Sequence, residues 1–167
     1  MTIMGIDPGY AITGFGIIEY KNNKFKVLHY GVISTKSTMP FEKRLLAISD
    51  ELDSLFLQYK PDSMAIEELF FSRNTTTAIG TAQARGVAIL CGAKAGLDIY
   101  EYTPLQVKLA VSGYGKADKN QVQQMVRILI NCKDTIKPDD AADALAVAIC
   151  HAHTGLHESF LARGGYQ

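Results

Sequence analysis

The first 34 residues constrain the fold most, because three β-rich stretches precede any helical pattern. A short apolar run over residues 2–6 ends at Asp7, and the Pro-Gly pair that follows is typical of the end of a strand. Residues 12–20 and 25–34 are rich in β-branched and aromatic side chains and are separated by a polar turn. The pattern predicts three consecutive antiparallel strands.

Helical and strand patterns alternate in the rest of the chain. Residues 41–59 repeat apolar side chains at three- and four-residue steps, which predicts a helix that Pro61 ends. The further predicted elements are a strand at 63–67, a helix at 78–95, a strand at 97–102, and helices at 119–131 and 139–152. The order β-β-β-α-β-α-β-α-α indicates a mixed α/β domain.

Length and composition fit one domain with a substantial hydrophobic core. The 167 residues are 47% apolar and 20% charged, which is typical of a globular protein. We expect a single domain over 1–167, with its core at about 2–153 and a loose tail at 162–167. No apolar run approaches the ~20 residues that a membrane span needs. Three cysteines, an odd count without close pairing, favour a reduced protein in the cytoplasm.

The charge balance gives no indication of a nucleic-acid partner, because 17 Lys and Arg offset 17 Asp and Glu. The helix predicted at 78–95 is more informative, since it is unusually rich in Ala and Gly. Small side chains permit close packing, and two interpretations stay open. The helix packs tightly on the sheet, or it meets the same helix of a second copy.

Two acids follow apolar strands directly, which is where ligands bind in many α/β sheets. Asp7 ends the first strand and Glu67 ends the strand at 63–67. Each could instead be an exposed turn residue. Glu68 follows Glu67, and neighbouring strand residues point to opposite faces. At most one of these two glutamates therefore faces a site shared with Asp7.

A third group of acids begins the last predicted helix. Pro138 precedes Asp139, Asp140 and Asp143, and acids are favoured at a helix start by the helix dipole, at ~0.3–1 kcal/mol each. Asp143 shares a helix face with Asp140 and also with Asp139, so spacing does not choose between them. A carboxylate cluster without His or Cys suits Mg²⁺ or Mn²⁺. No phosphate-binding glycine loop is present, which argues against nucleoside triphosphate chemistry.

Four motifs in order resemble the RuvC family of bacterial Holliday junction resolvases. The similarity extends from residue 2 to about residue 153, and the motifs lie at 4–9, 65–67, 102–108 and 140–145. The resemblance implies a ribonuclease H-like fold, with a five-stranded mixed sheet flanked by helices. It also implies an endonuclease that resolves four-way DNA junctions by paired symmetric nicks.

The resemblance assigns catalysis and metal binding to Asp7, Glu67, Asp140 and Asp143. Glu68 and Asp139 then become neighbours of the site. The implied cofactor is Mg²⁺, with Mn²⁺ as a substitute and two ions in each site. Such a pair activates a water molecule on one side of a phosphodiester and stabilises the leaving oxygen on the other.

The resemblance also implies DNA contacts and partners. Phe70 is expected to stack on bases at the crossover, and Lys108 and Lys119 to lie near the scissile phosphate. Further candidates for contacts with the DNA backbone are Arg73, Asn74 and Arg85. A homodimer is expected, because paired nicking of a symmetric junction requires a twofold enzyme. Contact with a branch-migration motor is a further family expectation.

Two other functions remain as alternatives at this point. One is a related ribonuclease H-like nuclease that acts on RNA. The other is a catalytically idle module that only binds junctions, although the intact set of four acids argues against it.

Overall fold

The computed structural model describes the backbone of residues 1–69 and 75–158, and the side chains of 1–69 and 77–155. Within these residues the chain forms five strands and five helices. In chain order they are β1 (Thr2–Asp7), β2 (Ile12–Lys21), β3 (Lys24–Ser34), α1 (Phe41–Tyr59), β4 (Ser63–Glu67), α2 (Thr75–Lys94), β5 (Asp98–Tyr102), α3 (Pro104–Ser112), α4 (Lys119–Leu129) and α5 (Asp139–Glu158). The predicted tail at 162–167 lies outside the described residues.

The strands form one mixed sheet in the order β3-β2-β1-β4-β5. β1, β2 and β3 are antiparallel, whereas β4 and β5 run parallel to β1. The predicted five-stranded mixed sheet flanked by helices is confirmed. Because β1 and β4 are parallel neighbours, with Ile6 opposite Ile66, their C-terminal residues meet at the same edge of the sheet.

Helices cover both faces of the sheet and enclose two cores. α5, supported by α3 and α4, packs on one face, which we call the α5 face. α1 and α2 cover the other, which we call the α2 face. Strand residues alternate between the two cores: Ile3 and Ala65 belong to the α5 core, whereas Met4 and Ile66 belong to the α2 core.

Glycines bring α5 into direct contact with the backbone of the sheet. A Cβ on Gly5 would lie 2.1 Å from the carbonyl oxygen of Ala144, and a Cβ on Gly14 would lie 2.0 Å from that of Asp140. Only glycine therefore permits this approach at these two positions. As a result the first turns of α5 lie against the end of β1 and the start of β2.

The helix α3 was not predicted from the sequence, and this is a correction to the element order given above. A capping box defines its start: the Thr103 side chain accepts a hydrogen bond from the Gln106 amide, and the Gln106 side chain accepts one from the Thr103 amide. Pro104 at the first helical position adds a second start signal. Both signals were readable, but the helix is only nine residues long and has a weak apolar stripe.

Candidate active site

Asp7 and Glu67 lie side by side at the C-terminal ends of β1 and β4. Strand alternation directs both side chains toward the α5 face, because they continue the series of Ile3 and Ala65 in the α5 core. By the same alternation, Glu68 would point away from this face. The sequence left open which glutamate shares a face with Asp7, and the structure selects Glu67.

α5 adds Asp140 and Asp143 from its first turns. The helix begins at Asp139 directly after Pro138, as predicted from the sequence. The side chain of Asp143 is 33% exposed and that of Asp139 is 43% exposed. Asp139 pairs with Lys137, whose Nζ lies 3.3 Å from its Oδ1, and this hydrogen bond lowers the pKa of Asp139.

The pKa shifts show that the four carboxylates are close enough for their charges to affect one another. The pKa of Asp7 is raised to about 8, first by burial and then by the charges of Glu67, Asp143 and Asp140 in that order of size, while the charge of Lys119 acts to lower it. Burial and the charge of Asp143 also raise the pKa of Glu67. Burial likewise raises the pKa of Asp143. These shifts mean that burial and mutual repulsion disfavour the charged forms of these carboxylates. A bound cation would offset both effects.

Two lysines stand beside the cluster. Lys119 is the first residue of α4, whose start is fixed by a capping box between Asp118 and Gln121. Its Nζ lies 3.0 Å from Oδ2 of Asp143 and 3.6 Å from Oδ2 of Asp139. Although burial acts to lower it, the pKa of Lys119 is raised by the hydrogen bond and charge of Asp143. Lys108 of α3 lies close enough to Glu67 for its charge to offset part of the rise in the pKa of that carboxyl.

A cavity of about 200 Å³ opens between these charged groups. Its polar lining comes from Glu67, Asp143, Lys108 and Lys119. Its apolar lining comes from α3, α4 and α5, through Pro104, Val107, Val122 and Ala146. The apolar wall was not predicted from the sequence, because half of it belongs to the unpredicted helix α3. The cavity offers carboxylates for a cation and ammonium groups for an anion within one space.

The four carboxylates are ligands of the kind that a hard divalent cation prefers, although their oxygen atoms do not converge on one position. Among the side chains described for 1–69 and 77–155, no group of three or more Asp, Glu, His or Cys residues has the spacing of a finished metal site. Lys119 is hydrogen-bonded to one predicted ligand, Asp143. The cluster consists of carboxylate oxygens alone, which suits Mg²⁺ or Mn²⁺ and not zinc.

The remaining predicted DNA contacts lie elsewhere. Arg85 of α2 is only 9% exposed and lies on the α2 face, where its Nη2 is 2.5 Å from Oε2 of Glu101. Its guanidinium is thus already paired with an acid of the protein itself. Its contact with DNA stays a prediction. Phe70, Arg73 and Asn74 lie outside the described residues.

A mixed sheet of this order, with acids at the ends of β1 and β4 and at the start of the last helix, places the chain in the ribonuclease H-like fold class. Comparison with known proteins narrows the class. The family model of the crossover junction endodeoxyribonuclease RuvC matches residues 3–151. The chain belongs to the RuvC family, and its activity is that of a crossover junction endodeoxyribonuclease.

Similar proteins cover nearly the whole chain. The RuvC crossover junction endodeoxyribonuclease of Alkaliphilus metalliredigens is 59% identical over 159 residues, or 95% of this chain and 97% of that protein. The structure of Thermus thermophilus RuvC in complex with a Holliday junction substrate is 35% identical, with a TM-score of 0.89 over 93% of this chain and 94% of the other. The yeast mitochondrial Holliday junction resolvase Ydc2 shares the fold at 12% identity, with a TM-score of 0.65 over 90% of this chain and 77% of the other.

Proposed function

We propose that this chain cuts four-way DNA junctions by metal-dependent hydrolysis at the cluster of Asp7, Glu67, Asp140 and Asp143. The observation that supports the proposal most is the placement of Asp7 and Glu67 at the adjoining ends of β1 and β4, beside the first turns of α5. In agreement with this placement, burial and then the charges of Glu67, Asp143 and Asp140 raise the pKa of Asp7. Four partly buried carboxylates beside a lysine that pairs with one of them, Asp143, are costly to a fold unless they bind a cation. Nucleases of this family are metal-dependent.

Two Mg²⁺ ions, or Mn²⁺ in their place, are the proposed cofactor. Such ions supply a water molecule of lowered pKa and stabilise the oxygen that leaves the phosphorus. Asp7 and Glu67 would hold the ions from the ends of two paired strands, and Asp140 and Asp143 would hold them from α5. The proposed products carry 5′-phosphate and 3′-hydroxyl ends.

Lys108 and Lys119 are proposed to bind the scissile phosphate. Both line the cavity with Glu67 and Asp143, so a phosphate in the cavity lies within reach of both ammonium groups. Lys119 would exchange its bond with Asp143 for one with a phosphate oxygen when a cation binds Asp143. The apolar wall of Pro104, Val107 and Val122 limits the water around that phosphate.

A homodimer is proposed to hold the symmetric junction, with α2 at the interface. The small residues of α2 divide between two sides of the helix. Ala84 and Ala88 are buried in the α2 core, whereas nothing lies within 4 Å of a Cβ built on Gly86. Ile79 and Leu90, 60% and 54% exposed, flank Gly86 on this outer side, which we call the outer α2 surface. Exposed apolar side chains around a glycine favour close contact with a second helix.

No helix of the described residues is long and apolar enough to cross a membrane. The cytoplasmic location and the contact with a branch-migration motor stay predictions.

Asp7→Asn tests the proposed site with a labelled four-way junction. Cleavage in Mg²⁺ is expected to disappear, while junction binding in metal-free buffer persists, because the substitution removes a ligand but adds no bulk. Undiminished cutting by this variant would contradict the assignment. Competition with unlabelled duplex DNA and RNA–DNA hybrid separates junction selectivity from the RNA-acting alternative. Failure of the wild-type chain to nick in either Mg²⁺ or Mn²⁺ would indicate an idle binding module.

A further inference from the structure

Arg85 is a buried cation that the proposed mechanism does not use. It lies on α2, 9% exposed, on the face of the sheet opposite the four carboxylates. Burying an arginine costs free energy unless its donors are satisfied by well-placed acceptors. The positions of those acceptors therefore indicate what the side chain does.

Arg85 uses two arms of its guanidinium on two neighbouring strands. Nη2 pairs with Oε2 of Glu101 on β5 at 2.5 Å, and Nε donates a hydrogen bond to the backbone carbonyl oxygen of Glu67 on β4 at 3.2 Å. The side chains of Arg85 and Glu101 are 11% and 30% exposed, so water screens this pair less than a surface pair. The planar guanidinium suits such a two-point contact, which an ammonium group does not reproduce.

The carbonyl that Arg85 binds belongs to the peptide unit that joins Glu67 to Glu68. The amide of the same peptide donates to the carbonyl oxygen of Tyr102 at 2.9 Å. Both polar atoms of this one peptide are thus held, one by β5 and one by Arg85. Because the peptide plane is held at both polar atoms, rotation of the Glu67 backbone about its Cα–C bond is restricted, and so is the direction in which its Cα–Cβ bond leaves the strand.

We propose that Arg85 is a positioning residue that aims the Glu67 carboxylate at the metal cluster from the opposite face of the sheet. This inference rests on the proposed role of Glu67 as a metal ligand. Glu101 in turn orients Arg85, in the way that outer carboxylates orient the ligands of metal sites. A contact between Arg85 and the DNA backbone, the role expected from the sequence, is disfavoured by the burial of the guanidinium and its pairing with Glu101.

Arg85→Lys is the decisive variant, because it keeps the positive charge but cannot bridge Glu101 and the Glu67 carbonyl together. Mn²⁺ binding to the DNA-free protein, measured by calorimetry, is expected to weaken about 10–100-fold, as for other outer partners of metal ligands. Single-turnover cleavage at limiting Mg²⁺ is expected to fall by about the same factor. Junction affinity in metal-free buffer, and its dependence on salt, are expected to stay at wild-type values.

Lys94→Met is the matched control, since Lys94 is an exposed cation on the last turn of the same helix. It is expected to leave Mn²⁺ binding and cleavage unchanged. Glu101→Gln is the second variant. If circular dichroism shows that Arg85→Lys does not fold, the same measurements on Glu101→Gln test the inference instead. It keeps an acceptor for Arg85 but removes the charge, so a smaller loss of Mn²⁺ affinity in the same direction is expected.

Two results would overturn the inference. One is a folded Arg85→Lys protein that binds Mn²⁺ and cleaves as the wild type does. The other is a loss of junction affinity with a salt slope reduced by about one, which identifies a phosphate contact. Glu67→Gln separates this inference from the proposed site. If Glu67→Gln still binds Mn²⁺ and cleaves, the site itself is wrong, whereas if only Arg85→Lys behaves as wild type, the positioning role alone fails.

Discussion

The two faces of the sheet are built in different ways. On the α5 face, backbone touches backbone: Gly5 and Gly14 let α5 approach until its carbonyl oxygens leave no room for a Cβ. On the α2 face, side chains fill the space, and the atoms nearest a Cβ on Gly92 are the end of Met64 at 3.1 Å and Ile99 at 3.3 Å. The first contact is rigid and the second is adaptable.

This difference matches what each face carries. The α5 face holds the carboxylate cluster, where a displacement of ~1 Å can cost a large part of the catalytic rate. The α2 face carries the outer α2 surface and the pair of Arg85 and Glu101, which lies on the side of the sheet opposite the cluster. We infer that catalysis depends on the position of α5, whereas dimer contact and the positioning of Glu67 depend on α2.

The largest expected effect tests which acids of α5 belong to the site. Asp143→Asn is expected to lower cleavage by more than about 100-fold, because loss of an inner ligand should exceed the 10–100-fold cost of losing an outer partner. Asp139→Asn is the matched control, since Asp139 is 43% exposed and pairs with Lys137. It is expected to change the rate only a few fold. Single-turnover cleavage of a four-way junction measures both, and equal losses would contradict the distinction.

The sequence predicted the strand order at the start of the chain and the two strand-end acids, because alternation and Pro-Gly signals are local. It could not choose between Asp139 and Asp140, since both are placed next to Asp143 by helical spacing. In the structure, the charge of Asp140 acts on Asp7, and Asp139 instead pairs with lysines. Their membership of the metal site itself stays a proposal.

The other differences between the sequence predictions and the structure depend on contacts between residues that are far apart in the sequence. Arg85 was expected to contact DNA because the sequence gives no sign that Glu101, on another element, lies beside it. The small residues of helix 78–95 left two interpretations open. Ala84 packs inward, as close packing on the sheet predicts, whereas Gly86 faces outward, where contact with a second copy stays a proposal. Spacing alone cannot assign a side of a helix to a partner.

The second prediction tests whether the α2 face holds the dimer. Leu90→Arg places a charge on the outer α2 surface and is expected to weaken dimerisation by at least about 2 kcal/mol, or roughly 30-fold, as for a central interface residue. Sedimentation velocity across a concentration series measures the change. Paired nicks on one junction are expected to become single nicks.

Ile128→Arg is the control for this prediction, because Ile128 is a 68% exposed apolar residue of α4, which belongs to the α5 face. It is expected to leave the dimer intact. If Ile128→Arg dissociates the dimer and Leu90→Arg does not, the interface lies on the α5 face and the comparison must be reversed.

The third prediction compares the rigidity of the two faces directly. Gly5→Ala forces a Cβ against the Ala144 carbonyl oxygen at 2.1 Å and is expected to destabilise the fold by about 1–3 kcal/mol or more. Gly92→Ala meets the flexible end of Met64, and the gain in helix propensity of up to about 1 kcal/mol offsets the contact. Urea unfolding of both variants gives the two free energies. Equal destabilisation would mean that the α2 face is as rigid as the α5 face.

The smallest expected effect, counted per pH unit, concerns pH and belongs to the α5 face alone. The pKa of Asp7 is about 8 in the folded state against an ordinary value of 3.8, so between these values the folded protein binds more protons than the unfolded chain. The stability that Asp7 contributes in its protonated form is therefore fully present below pH 3.8 and is lost as pH rises through about 8. The slope is at most about 1.4 kcal/mol per pH unit for one group.

Asp7→Asn removes this dependence because an amide does not titrate. In chelator, the stability of the variant relative to wild type is expected to increase steadily from pH 5 to pH 8, as measured by urea unfolding at each pH. Adding Mg²⁺ at pH 8 is expected to stabilise the wild-type protein and not the variant, because a cation replaces the proton as the partner of the cluster. The same pair of measurements on Arg85→Lys extends the comparison to the α2 face. A stability difference between Asp7→Asn and wild type that does not vary with pH would mean that Asp7 is already charged in the metal-free fold. The ammonium group of Lys119, and not a proton, would then offset the charge of Asp7.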